Sequence, residues 1–183
     1  NYNIEKFHSL LKKMGMTTLK HHAMHYGLSL ILGGAEGTLW DITGIYANMA
    51  RTVNHYQKYY GEYNLYDWHR PYYLQSEEKS FTKTRLSNVP VIGAAAIWQT
   101  ITALAELNRP EEEAAWKIFS SSRRIAWKTG TSYGNRDAWA VGITPEYAVG
   151  VWVGNASGEG RPLLTGVTHA APVLFDVFNL LPN

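Results

Sequence analysis

The chain has 183 residues, of which 45% are hydrophobic and 17% are charged. This composition is typical of a globular protein with a substantial core, and it excludes disordered and fibrous proteins. The formal net charge is only +2, with 17 basic and 15 acidic residues. Proteins that bind nucleic acid concentrate their basic residues in a stripe, so nucleic acid is not an expected partner. The absence of cysteine excludes disulfides and thiolate metal sites.

No apolar run reaches the roughly 18 residues that a membrane span requires, and no signal peptide opens the chain. The first residue is Asn1 rather than methionine. We therefore expect a piece of a longer protein, whose targeting segment would lie upstream.

Residues 1–53 are predicted to be mainly helical. Asn3 can cap a first helix, in which the apolar residues from Ile4 to Met14 fall on one face. Gly15 is suited to end this helix, because glycine readily adopts the left-handed conformation found at helix ends. The pattern predicts a short amphipathic helix.

A second helix is predicted from Thr38, because Asp41 stands three residues after a capping hydroxyl and apolar residues then recur at helical spacing. Residues 54–90 hold seven of the twelve tyrosines, and we interpret this stretch as an ordered surface excursion. Tyrosine rings can stack on sugars or bases. A glycan-binding or partner-binding module that uses this tyrosine-rich surface is therefore an alternative function.

Residues 91–123 are predicted to form two helices, at Ile92–Leu107 and Glu111–Phe119. Residues 124–183 are predicted to form an antiparallel meander and a final helix. The strand-like runs are 124–132, 138–144 and 147–154. The final helix is predicted over Thr168–Leu181, with Val173, Leu174, Val177, Phe178 and Leu181 on the face toward the sheet. Helices before a meander and one helix after it indicate an α+β domain.

The first predicted strand of the meander carries the polar run Lys128, Thr129, Gly130 and Thr131. Alternate residues of a strand share a face, so the hydroxyls of Thr129 and Thr131 can hold one carboxylate. Lys128 adds a positive charge, and Gly130 leaves room for another extended backbone alongside. The run is predicted to receive an extended peptide that ends in a carboxylate. The alternative is an exposed edge strand whose lysine limits aggregation.

Several longer stretches carry a family resemblance. The letters AWKTGTSYGNRDAWAVG, followed by YAVGVWVGN and TGVTHAAPVLFDVF, resemble the C-terminal part of the penicillin-binding transpeptidases, in which K-T-G is an active-site motif. HYGLSLILGGAEGTLWDITGIYANMA resembles the helical part of the same domain. The resemblance implies one partial transpeptidase domain, an antiparallel sheet flanked by helices in an incomplete penicillin-binding/serine β-lactamase-like fold. It implies no cofactor and no metal.

The resemblance also implies a chemistry. A serine would attack the D-Ala-D-Ala bond of a peptidoglycan stem peptide, release D-alanine and pass the acyl group to an amine, and penicillins would be trapped as acyl-enzymes. Lys128 would contribute electrostatic stabilisation beside the serine, and Thr129 and Thr131 would bind the terminal carboxylate. The backbone N–H of Thr131 would be one of two oxyanion-hole donors.

The partners that the resemblance implies are stem peptides ending in D-Ala-D-Ala, β-lactams and the missing N-terminal part of the same domain. The implied location is extracytoplasmic, on the periplasmic side of the inner membrane. The chain would be anchored there through a parent protein that also carries a glycosyltransferase domain.

The chain departs from the family in two motifs. S-x-N, which relays protons, is absent, and S-x-x-K, which holds the nucleophile, occurs only at Ser9, Ser76 and Ser80. Ser9 and Lys12 fall on the polar face of the first helix, and the other two matches lie in a polar stretch. None has the apolar surroundings that would make its lysine an effective base. We therefore expect that this chain forms the substrate-binding wall of the domain and lacks the attacking serine. Such a chain would be inactive alone.

Other groups of residues allow different interpretations. His21, His22 and His25 have the spacing of metal ligands, but no carboxylate nearby completes a set, so we interpret them as loop histidines. A triad of Ser132, Asp137 and a histidine stays open, although no nucleophile elbow frames any serine. A partner-binding fragment or a pseudoenzyme is a further alternative.

Overall fold

A computed structural model describes residues 3–73, 84–108 and 123–182. The chain divides into two compact units, Asn1–Ile97 and Trp98–Asn183. The described residues form helices and two small antiparallel sheets, which confirms the predicted α+β class. In this part of the chain no helix is both long enough and apolar enough to cross a membrane. The predicted helix Glu111–Phe119 lies outside the described residues, as do Ser76 and Ser80.

The first unit begins with helix α1, Ile4–Met14. The Asn3 side chain accepts a hydrogen bond from the Lys6 backbone N–H at 3.0 Å, and Gly15 ends the helix with a φ of 120°. Both predicted ends are confirmed, because the capping groups are local and need no tertiary partner. A short helix α2, Ala23–Tyr26, and a 3-10 turn at Gly27–Leu32 follow.

Helix α3, Leu39–Lys58, begins as predicted, since the Asp41 backbone N–H donates to the Thr38 hydroxyl at 3.0 Å. The Asp41 carboxylate accepts from both the backbone N–H and the hydroxyl of Thr17, at 2.9 and 2.6 Å. One aspartate therefore fixes the start of α3 and ties the preceding segment to it. The helix extends into residues 54–90, where the sequence pattern had suggested an end.

A polar network ties the chain after strand β1, Tyr63–Asn64, to helix α3. Asp67 is 1% exposed and its Oδ1 lies 2.5 Å from Nδ1 of His55. Arg51 donates to the Asp67 backbone carbonyl at 2.7 Å, and Asn48 donates to the His69 carbonyl at 3.0 Å. Burial raises the pKa of Asp67, which His55 and Arg51 oppose, and burial lowers the pKa of His69. These contacts hold residues 67–69 of the tyrosine-rich stretch against helix α3.

Two elements complete the first unit. Strand β2, Leu86–Ser87, pairs antiparallel with β1. Helix α4, Ala94–Ala105, agrees with the predicted helix over Ile92–Leu107, and along it the chain passes from the first unit to the second.

The second unit contains the predicted meander. Its strands are β3, Ala126–Thr131, β4, Asp137–Ile143, and β5, Ala148–Gly154. Their order is β3-β4-β5 and both pairings are antiparallel. The β3–β4 turn uses positive φ angles at Gly134 and Asn135, two residue types that tolerate this conformation. The predicted three-stranded sheet is confirmed.

One face of the sheet is covered by helix α5, Ala171–Leu180, which follows a wide π-type turn at Gly166–Ala170. Trp127 and Phe175 meet edge to face, with ring centroids 5.0 Å apart. The buried core consists of Ile125, Trp127, Ala138, Ala140, Leu164, Ala170, Ala171, Leu174, Phe175 and Phe178. The predicted helix face was wrong at Val173, which is 44% exposed, whereas Phe175 is buried. The helix is apolar around most of its circumference, so spacing alone does not decide which stripe meets the sheet.

Candidate functional site

The polar run of the sequence lies on β3, an edge strand among the strands that the structure describes. Alternation along the strand places Trp127, Thr129 and Thr131 on one face. Along that face Trp127 is buried, Thr129 is half-buried and Thr131 is exposed. Lys128 and Gly130 lie on the other face and are exposed. The two hydroxyls therefore share a face, and they lie where the sheet begins to open to solvent.

The outer edge of β3 presents the backbone groups of Thr129 and Thr131. Ser132 donates its N–H to the carbonyl of Asp137 across the β3–β4 turn, at 2.9 Å. Successive N–H groups of an extended strand point in opposite directions, so the N–H of Thr131 and the carbonyl of Thr129 point away from β4. Nζ of Lys128 donates to that carbonyl at 2.5 Å. The ammonium group and the Thr131 N–H are thus on the same outer edge.

Gly130 is not required by packing within the described residues. A Cβ built there would meet Trp139 Cβ at 3.6 Å, an ordinary van der Waals contact, and its φ lies outside the left-handed region. A glycine inside a strand costs conformational entropy without a packing gain. The predicted role of Gly130 is to leave room for a second extended backbone alongside β3.

The Thr131 hydroxyl has a partner that the sequence analysis missed. The backbone N–H of Gly166, at the start of the wide turn, donates to Thr131 Oγ1 at 3.0 Å. A Cβ on Gly166 would lie 2.5 Å from the Trp139 carbonyl oxygen and 2.6 Å from that of Gly130. A glycine is therefore needed for the turn to approach β3 this closely. The sequence feature that could have indicated this contact is Gly166 itself, a glycine just before the predicted final helix.

The other candidate nucleophiles have different surroundings. Ser9 and Lys12 are both exposed on α1, as predicted. Ser132 Oγ accepts the backbone N–H of Asp137 at 2.8 Å, and the Asp137 carboxylate accepts Nε1 of Trp152 at 2.9 Å. The Ser132 side chain thus braces the β3–β4 turn and the Asp137 side chain links β4 to β5, which are structural uses rather than the arrangement of a catalytic triad.

The histidine-rich segment before the 3-10 turn packs through its rings. His21 and His25 have ring centroids 4.2 Å apart, and His25 meets Tyr26 edge-on at 5.2 Å. Among the described residues, no group of three or more histidines and carboxylates is placed to hold a metal ion.

The chain is similar along nearly its whole length to penicillin-binding protein 1C of Escherichia coli (strain K12). The two are 29% identical over 180 residues, which is 98% of this chain and 20% of the relative. The predicted resemblance to the penicillin-binding proteins is confirmed. The chain spans about a fifth of the length of this relative. No protein-family model matches the chain.

Proposed function

We propose that this chain forms the carboxylate-binding wall of a peptidoglycan D,D-transpeptidase, with Lys128, Thr129, Gly130 and Thr131 as its site. The observation that carries the proposal is the K-T-G run on an edge strand of the described sheet, in a chain similar to a penicillin-binding protein. The proposed substrate is a stem peptide that ends in D-Ala-D-Ala, and β-lactams would occupy the same site.

Substrate binding follows from the geometry of β3. An extended peptide can pair with the outward backbone groups of Thr129 and Thr131, and no side chain at Gly130 opposes its approach. Its terminal carboxylate accepts from the two threonine hydroxyls. Hydrogen bonds to a charged acceptor are stronger than neutral ones, so this end of the peptide fixes the binding register. The Lys128 ammonium, at the same edge, adds a favourable charge.

The acyl-transfer step places charge on the carbonyl oxygen of the penultimate D-alanine. A serine oxygen bonds to that carbonyl carbon, the C–N bond to the terminal residue breaks, and D-alanine leaves with a proton on its amine. The outward N–H of Thr131 would be one of the two donors to the transient oxyanion. Such a donor lowers the barrier by roughly 3 kcal/mol. An amine of a second stem peptide then takes the acyl group.

The nucleophile and its lysine are proposed to come from a part of the same domain outside these 183 residues. Ser9 and Lys12 are exposed on α1, without the apolar surroundings that an activating lysine needs. The chain alone is therefore expected to bind substrate without turning it over. Because the substrate is cell-wall peptidoglycan, we place the reaction on the periplasmic side of the inner membrane, with anchoring through the parent protein.

The proposal is tested by titrating the ¹⁵N-labelled chain with an acetylated peptide ending in D-Ala-D-Ala and with its C-terminal amide. We expect resonances of residues 128–131 to shift and the free carboxylate to bind about tenfold more tightly. Equal affinity for the two peptides would overturn the carboxylate site.

A second measurement tests the origin of the nucleophile. Intact mass after incubation with a penicillin is expected to show no stoichiometric adduct. An adduct mapped to Ser9, Ser76 or Ser80 would show that the chain carries its own nucleophile and would contradict this part of the proposal.

A further inference from the structure

The hydrogen bond between Gly166 and Thr131 restricts what the Thr131 hydroxyl can do. A threonine hydroxyl has one proton to donate and two lone pairs to accept with. A backbone N–H can only donate, so the 3.0 Å contact makes Thr131 Oγ1 the acceptor. The Thr131 hydroxyl proton takes no part in that hydrogen bond. It is left to donate to another group on the exposed side of the residue.

The position of the Gly166 N–H is imposed by the fold around it. Thr165 is extended, its carbonyl accepts the His169 N–H at 3.1 Å, and its hydroxyl accepts the Thr168 N–H at 3.3 Å. These bonds close the turn that begins at Gly166. Gly166 is itself buried, and an added Cβ would lie within 2.9 Å of two backbone oxygens and of Thr129 Cβ. The turn therefore packs against both Thr129 and Thr131.

We propose that Gly166 is a positioning residue of the carboxylate site, whose N–H holds the Thr131 hydroxyl as a donor toward the substrate carboxylate. The inference rests on the proposed function. A hydroxyl in water rotates among several partners, and binding an anion requires it to leave them. Here one lone pair is already occupied by a fixed donor, so less rearrangement accompanies binding. The bond also polarises the hydroxyl, which strengthens its donation to an anion.

The first experiment compares Gly166→Ala with Val167→Ala in the 183-residue chain. Val167 is on the same turn and is 49% exposed, so its truncation leaves the seat of the turn intact. The readout is the ratio of affinities for the D-Ala-D-Ala peptide with a free carboxylate and with a C-terminal amide. We expect Gly166→Ala to lower this ratio by about tenfold, the effect of losing one charge-assisted hydrogen bond, and Val167→Ala to leave it unchanged. A purely structural role for Gly166 would weaken both peptides equally.

The second experiment needs no change at Gly166, so it decides the question even where the alanine variant does not fold. The amide proton resonance of Gly166 is followed while the wild-type chain binds each peptide. Donation from Thr131 to a carboxylate makes Oγ1 a better acceptor, so the Gly166 proton is expected to move downfield with the carboxylate peptide alone. Thr131→Ser keeps a hydroxyl and should retain the response, whereas Thr131→Val should abolish it.

The outcomes separate the two proposals. Preference for the carboxylate in the wild type, together with an unchanged ratio in Gly166→Ala or a silent Gly166 amide, would overturn the positioning role and leave the proposed function standing. Equal binding of the two peptides by the wild-type chain would overturn the carboxylate site, and the positioning role with it.

Discussion

Truncating Phe175 should strongly destabilise the second unit. The side chain is 2% exposed and packs edge to face on Trp127, the residue before Lys128. A buried phenylalanine removes about 150–250 Å² from water, and at about 25 cal/mol per Å² this corresponds to about 4–6 kcal/mol as an upper bound. Alanine keeps part of that burial, while the cavity adds a penalty. We expect Phe175→Ala to lower the free energy of unfolding by about 3–5 kcal/mol.

The assay is urea denaturation followed by circular dichroism, with Val173→Ala as the matched control. Val173 lies two residues away on the same helix and is 44% exposed, so its truncation should change stability by no more than about 0.5 kcal/mol. The whole stability of a domain is typically about 5–15 kcal/mol, so the Phe175 variant should show a clearly displaced transition. A loss smaller than about 1.5 kcal/mol, or equal losses in the two variants, would refute the packing of α5 on the sheet.

Three further changes probe separate parts of the structure. Gly130→Ala should alter the free energy of unfolding by less than about 1 kcal/mol, since there is room for the added Cβ. The same change should lower affinity for the D-Ala-D-Ala peptide about tenfold. An affinity that stays at the wild-type value would contradict the pairing of a peptide backbone alongside β3. Asp41→Ala removes the carboxylate that accepts from the N–H and the hydroxyl of Thr17. It should lower the free energy of unfolding in urea by about 2–3 kcal/mol. A loss under about 1 kcal/mol would contradict these two hydrogen bonds. Burial lowers the pKa of His69 below 6.5 in the folded chain. The unfolded chain therefore binds a proton at His69 more readily than the folded chain does. The stability that neutral His69 contributes is present above pH 6.5 and is lost as the pH falls through its folded-state pKa. His69→Gln should flatten the acid side of the stability–pH curve, and parallel curves for the two proteins would exclude this account.

The elements that the sequence predicted well are those whose signals are local. The cap at Asn3 and the cap at Thr38 each satisfy a backbone N–H three residues away, and each is written in a few adjacent letters. The meander follows from apolar runs and from turn residues that tolerate positive φ, such as Asn135. No tertiary contact has to be known for any of these.

The interactions that the sequence did not predict are between distant residues. Thr17 reaches Asp41 across 24 positions and Gly166 reaches Thr131 across 35, and neither spacing has a periodic signature. The same limit applies to α5, where Phe175 rather than Val173 meets the sheet. The K-T-G residues could be named from a motif, but the Gly166 N–H that donates to the Thr131 hydroxyl could not.

Gly130 and Gly166, the two glycines beside the proposed carboxylate site, have different surroundings. At Gly166 an added Cβ would collide with backbone oxygens, so the fold alone explains the absence of a side chain. At Gly130 the same atom would fit among the described residues, and the proposed function gives this glycine its role, room for a peptide backbone alongside β3. Substitution at the two positions should therefore give opposite signatures, with loss of the Gly166–Thr131 contact in one and loss of peptide pairing in an intact protein in the other. Stability and peptide affinity measured together on each variant distinguish a glycine that the fold requires from a glycine whose side chain would obstruct a bound peptide.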